Sequence, residues 1–285
     1  MTQKEAVAVA MLVGVLAASV LAGKPPMLTG LRSKSILANE GKRSGNSTGQ
    51  QAEAAAAPES QKEGGQILLA AAKAAGGRAL LGVKSLGMDE KGEQFGAKGN
   101  VTLTVKWTVA YPDRSHGDEM FGTQPVIQTC DGKTAWVVIG DQERDATPTV
   151  GEFKRGIALF GGGWGLYREV LAGHVSGRAI GETEIDGRKA NGVAVRAPFG
   201  DVALFFDPET HLLAAARFQT STPRGMMDAE QRWSNYRSVG GRQFAFSTAT
   251  YRGGAKLFES TVSTVKINPP VQESLFLKPV STSAK

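Results

Sequence analysis

Asp207, Glu209 and His211 lie two residues apart in the stretch FFDPETHLLAAARF. On a continuous strand all three would share one face, where they could hold a metal ion or exchange a proton. Pro208 argues against that strand. It fixes its own φ and removes a ladder donor, and Asp before Pro favours the start of a type I turn. The stretch therefore reads as a hairpin with residues 203–206 and 212–215 as its arms. His211 then falls at a positive-φ position, which His tolerates better than most non-glycine residues.

Ser115-His116-Gly117-Asp118 contains the residue types of a catalytic triad, but adjacent strand side chains point to opposite faces and cannot assemble one. Gly45-Asn46-Ser47-Thr48-Gly49 matches a nucleophile elbow in letters only, without the strand before it and the helix after it that the elbow requires. Gly161-Gly162-Gly163-Trp164-Gly165 lacks the Lys-Ser/Thr of a phosphate loop and reads as a corner between two helices. His116, His174 and His211 show no metal-ligand spacing. The single cysteine, Cys130, reads as a buried thiol. No catalytic residue, metal site or cofactor is expected.

The elements that position these residues follow from pattern. Residues 6–22, AVAVAMLVGVLAASVLA, carry no charge and read as an export signal or an uncleaved membrane anchor, assigned to residues 1–23. More Lys and Arg follow this segment than precede it, which argues against the usual orientation. Residues 24–65 are rich in Gly, Ser, Gln and Ala and read as a disordered linker. A folded domain is expected over 66–279, with a short tail at 280–285. The formal charge of +6 is spread along the chain without a dense basic run, which argues against a nucleic-acid partner.

Within the domain, Ile67, Leu68 and Ala71 give an apolar helical stripe that Gly76-Gly77 ends. Val101, Leu103, Val105, Trp107 and Val109 alternate with polar residues as in a long half-buried strand. Asp131-Gly132, Asp186-Gly187, Gly240-Gly241 and Gly253-Gly254 punctuate later strand runs as hairpin turns. Residues 149–173 interrupt this antiparallel meander after about five strands, with two short apolar helices predicted around the glycine corner.

The C-terminal part carries Trp233-Ser234-Asn235-Tyr236-Arg237, then Gly240-Gly241, then Val265-Lys266-Ile267-Asn268-Pro269-Pro270 and Phe276. With the opening helix and the FFDPETHLL hairpin, this pattern resembles bacterial envelope proteins related to LolA and LolB, the lipoprotein localisation factors. His211 stands where relatives often have Gly, and Ala245 where they often have Pro. The Cys that follows the signal in lipid-anchored members is absent.

The resemblance implies a mainly β (α+β) fold: an incomplete antiparallel β-barrel of about eleven strands with helices on its concave face. It implies a non-enzymatic periplasmic or envelope protein that binds lipid or lipoprotein acyl chains. Envelope proteins are a further class of partner, and the membrane is another through residues 6–22 if they are retained. The candidate lipid-lining residues are Val105, Trp107, Val109, Trp136, Phe205, Phe244 and Phe246. The same residues equally suit a packed core beneath the helices, which would make the chain a tethered interaction or sensor module.

Overall fold

The computed structural model describes residues 47–96, 99–222 and 225–279, with side chains from residue 58 onward. The apolar segment 6–22, the first part of the linker and the tail lie outside the described residues. Helix α1 (Ser47–Ala74) begins inside the stretch assigned to the linker. That stretch is rich in alanine, the strongest helix former, and Pro58 does not stop the helix. Leu68, Ala71 and Ala72 are buried, and the chain leaves the helix through Gly76 at φ 137°.

A 3-10 turn (Gly77–Gly82) leads into six strands: β1 (Ser85–Gln94), β2 (Val101–Ala110), β3 (Arg114–Phe121), β4 (Gln124–Cys130), β5 (Ala135–Ile139) and β6 (Gln142–Asp145). Helix α2 (Val150–Leu171) follows. Seven more strands complete the sheet: β7 (Gly177–Ile185), β8 (Arg188–Ala197), β9 (Gly200–Phe206), β10 (Leu213–Thr222), β11 (Gly225–Val239), β12 (Arg242–Arg252) and β13 (Ala255–Ile267). The thirteen described strands exceed the expected eleven. Short β6 and largely polar β1 lack the apolar alternation that marks a strand in sequence.

The strands form one antiparallel sheet in the order 6-5-4-3-2-1-13-12-11-10-9-8-7. Two meanders thus meet where β1 pairs with β13, and β6 and β7 form the two edges. This topology decides where α2 lies, because the chain must travel from one edge strand to the other. The helix crosses the inner face and packs against β3, β10 and β12. The fold is an open antiparallel half-barrel with helices on its concave face, as the family resemblance implied.

The four anticipated turns are present, and Asp186-Gly187, Gly240-Gly241 and Gly253-Gly254 have positive φ at both positions. That is the geometry a two-residue hairpin favours, because its twist matches that of the strands. His211 also adopts positive φ, at 59°. Its amide donates to the Asp207 carbonyl at 2.9 Å, and the amides of Glu209 and Thr210 donate to Asp207 Oδ1. Burial would raise the Asp207 carboxyl, but the Thr210 amide and hydroxyl and the Glu209 amide hold it below the usual value. The Asp–Pro stretch is a self-bonded turn.

The motif residues behind the family resemblance act as structural anchors. Asn268 Oδ1 accepts the amides of Lys84 and Ser85, and its Nδ2 donates to the Gly82 carbonyl, pinning the end of β13 to the start of β1. Tyr236 donates its hydroxyl to the Leu213 carbonyl at 2.7 Å, joining β11 to the start of β10. Phe276 is buried under the Arg114 guanidinium.

Candidate functional site on the concave face

Val105, Trp107 and Val109 point inward from β2 and belong to the main core with Phe244 and Phe246 of β12. Trp107 stands opposite Gly117 of β3. A Cβ at Gly117 would meet the indole ring, so this glycine is what lets the large ring lie flat against the sheet. Trp107 contacts Phe160 of α2 edge-on, with centroids 5.3 Å apart. Phe244 contacts Trp164 of α2 and Phe246 in the same manner. The Trp107–Phe160 and Phe244–Trp164 pairs join the sheet to the helix across the inner face.

The structure does not bring Trp136 or Phe205 to this face. Trp136 alternates with the buried inner residues of β5 and lies beneath the Lys278 ammonium. Phe205 alternates with Leu204 and Phe206, and it packs with Ile185, Ala203 and Ala215 in a separate small cluster beneath Arg217. β9 is apolar on both faces, so its composition alone could not show which phenylalanine faces inward.

Helix α2 is two helices separated by a break. Phe160 has extended backbone, and Gly161, Gly162 and Gly163 have φ values of 64°, 84° and 102°. The glycine corner expected from sequence is therefore real, and it sits directly over the sheet. Cβ atoms at Gly161 and Gly162 would overlap the Phe244 ring and the Tyr236 hydroxyl. Beyond the corner, Arg168 ties the second half of α2 to the domain through the carbonyls of Leu80 and Val83, both at 2.6 Å. The helix ends at Gly173 with φ 79°, and the His174 amide caps it by donating to the Glu169 carbonyl.

A cavity of about 70 Å³ remains between α2 and the sheet, lined by Trp107, Phe160, Phe218, Trp233, Phe244 and Phe258 among others. It has room for a few water-sized groups, at about 10–15 Å³ for each. A larger groove of about 640 Å³ borders β1 to β4 but is open to solvent, and Lys106, Asp118 and Met120 contribute to its lining.

Carboxylates interrupt the apolar inner face. Glu90 accepts from the Trp107 indole at 3.2 Å and from the Ser260 hydroxyl. Glu119 accepts from Gln128 Nε2, while its Oε2 is buried without a hydrogen-bond partner. Burial pushes both carboxyls above their ordinary value, and the charge of Glu90 pushes Glu119 further. Sequence reasoning passed over both residues. The signal for Glu119 was its parity with Phe121 on β3, which assigns it the inner face.

A carboxyl that stays protonated in the folded form and ionises in the unfolded chain favours folding less as pH rises. The decline begins near the ordinary value of 4.5 and continues up to the raised folded value. Glu119→Gln keeps an acceptor for Gln128 and removes the titration. It is expected to raise the Tm by several degrees at around pH 8, to change it little at around pH 4, and to flatten the curve between them. Melting curves across that range check this, and parallel curves for the two proteins would contradict it.

The residues of the triad-like run separate as their alternation requires. Ser115 faces the core side of β3, while His116 and Asp118 share the other side, with Nε2 to Oδ1 at 3.2 Å. Contrary to expectation a helix does follow the Gly45–Gly49 run, since α1 begins at Ser47, and the residues before it lie outside the described set. Cys130 is fully buried, and burial pushes its thiol up to about 11. Among the described residues, no group of three or more His, Cys, Asp or Glu is placed to hold a metal ion, and no helix is long and apolar enough to cross a membrane.

No protein-family model matches the sequence, and no curated protein matches it significantly. Solved structures do match in shape. A LolA superfamily protein from Nitrosomonas europaea superposes with a TM-score of 0.52 at 11% identity, covering 75% of this chain and 97% of that one. A domain described as an outer membrane lipoprotein-sorting protein, from Vibrio parahaemolyticus, gives 0.49 at 10% identity, covering 76% and 97%. A DUF1329 family protein from Desulfovibrio piger gives 0.48 at 8% identity, covering 76% and 97%. At 11% identity the likeness to the Nitrosomonas protein concerns the fold alone, which is LolA-like.

Proposed function

We propose that this chain, with its LolA-like fold, is a non-enzymatic protein of the bacterial envelope that binds lipid or lipoprotein acyl chains on its concave face. The observation that carries the reading is the glycine-hinged helix over an aromatic-lined cavity. Val105, Trp107, Val109, Phe244 and Phe246 belong to the surface that would receive the chain. Trp136 and Phe205 face elsewhere and are left out of it. Each CH₂ moved from water onto this face contributes about 0.8 kcal/mol, so holding an acyl chain needs no covalent step. The cavity is smaller than the ~300 Å³ at which drug-sized ligand pockets begin. Binding therefore requires α2 to swing away from the sheet about Gly161–Gly163. Residues 6–22 and the fold support an envelope location.

One observation favours a second reading. The inner face is nearly filled by side chains of the domain itself, as in an interaction or sensor module without lipid cargo. Extraction of the full chain from an envelope fraction, followed by mass spectrometry of its organic extract, separates the two. Reproducible co-purified acyl lipid is expected. Its consistent absence, together with failure of acyl probes to bind, would overturn the first reading in favour of the second.

A further inference from the structure

Arg155, on the first half of α2, lines the cavity. Its side chain is buried, with the guanidinium 4.3 Å from the centroid of the Phe218 ring. Its Nε and Nη2 have no hydrogen-bond partner. The carboxylate whose charge acts on it is Glu152, which already accepts from the Thr220 hydroxyl at 3.2 Å and the Ser221 amide at 3.1 Å. Glu152 also acts on Arg252 of β12, whose Nε is likewise buried and unpartnered. Among the described residues, two guanidinium groups thus lie in the field of one carboxylate, an excess of positive charge. Burial pushes the Glu152 carboxyl upward, which widens this imbalance. Glu90 lines the same cavity but makes no ion pair with Arg155, and its two oxygens are taken by Trp107 and Ser260.

A buried charge without a partner is costly, and a planar guanidinium fork matches two oxygens of a carboxylate or phosphate. We propose that the cavity beside Arg155 receives the anionic head of a single-chain amphiphile, a carboxylate or a phosphate monoester, while its acyl chain lies along the aromatic wall of the concave face. The inference rests on the acyl-binding reading and specifies the class of ligand. The three heavy atoms of a carboxylate suit the space that exists, whereas the chain enters only when α2 moves.

The test is titration of the full chain with oleate, oleoyl lysophosphatidate and methyl oleate, the first two below their micelle concentrations and the ester below its solubility limit. At least one anionic probe is expected to bind about tenfold or more tightly than the ester. Arg155→Gln is expected to abolish that preference, and Arg155→Lys to keep part of it. Equal affinity for all three probes, or an unchanged preference in Arg155→Gln, would overturn the anion site and leave acyl binding intact. Failure of every probe to bind would overturn both. If Arg155→Gln does not fold, the preference of the unmodified chain decides alone.

Discussion

Trp164→Ala is expected to lower the free energy of unfolding by about 3–5 kcal/mol, a large share of the roughly 5–15 kcal/mol typical of a folded domain. The indole is fully buried and meets Phe244 edge-on at 5.2 Å. Its Nε1–H donates to the Gln243 carbonyl at 2.6 Å, fastening the second half of α2 to β12. Truncation removes the packing, opens a void and takes away the donor to Gln243. Trp164→Phe restores much of the volume and should recover more than half of the loss. Urea denaturation measures both. A loss below about 1 kcal/mol for the alanine variant would mean that α2 is not packed on the sheet as described.

Gly162→Ala is expected to cost about 2–4 kcal/mol, from positive-φ strain together with overpacking. Gly162 sits at φ 84°, and a Cβ there would overlap the Tyr236 hydroxyl, disturbing its bond to the Leu213 carbonyl. The sign makes this informative. In an uninterrupted helix, Gly→Ala would stabilise by about 1 kcal/mol. Gly151 provides the control, because a Cβ in that turn of α2 meets nothing within 4 Å. Gly151→Ala should be neutral or mildly stabilising. Matching stabilisation at both positions would show that no corner exists at Gly162.

The sheet was legible from sequence wherever one face is wet. In β2, polar Thr102, Thr104 and Lys106 alternate with buried residues, and this alternation identified the inner row directly. The Gly-Gly and Asp-Gly turns were legible because few other residue pairs accept two successive positive φ values. His211 was legible through Pro208, which excludes a central strand. The misassigned candidates share a physical cause. Phe205 lies on a strand buried on both faces, and Trp136 is covered by Lys278 from the C-terminal segment. In neither case does local pattern say which side faces α2. The guanidinium of the inner face was hidden for another reason. Arg155 sits among apolar neighbours only after the helix crosses the sheet, and that crossing follows from the strand order.

The family-like motifs illuminate the fold more than the activity. Asn268, Tyr236 and Phe276 are occupied in joining strands and covering an edge of the core. A chain could keep all three and carry any cargo or none. The acyl-binding proposal therefore depends on whether α2 leaves the sheet.

The most direct measurement of that claim is energy transfer from the tryptophans to cis-parinarate, a fluorescent fatty acid. Trp107 and Trp233 line the cavity and Trp164 packs beside it. A bound chain would lie within transfer distance of all three. Saturable quenching of tryptophan emission, with matching parinarate emission at about one probe per chain and displacement by unlabelled fatty acid, is the expected result. Absence of transfer across the soluble range of the probe would contradict acyl binding and leave the concave face as a closed core.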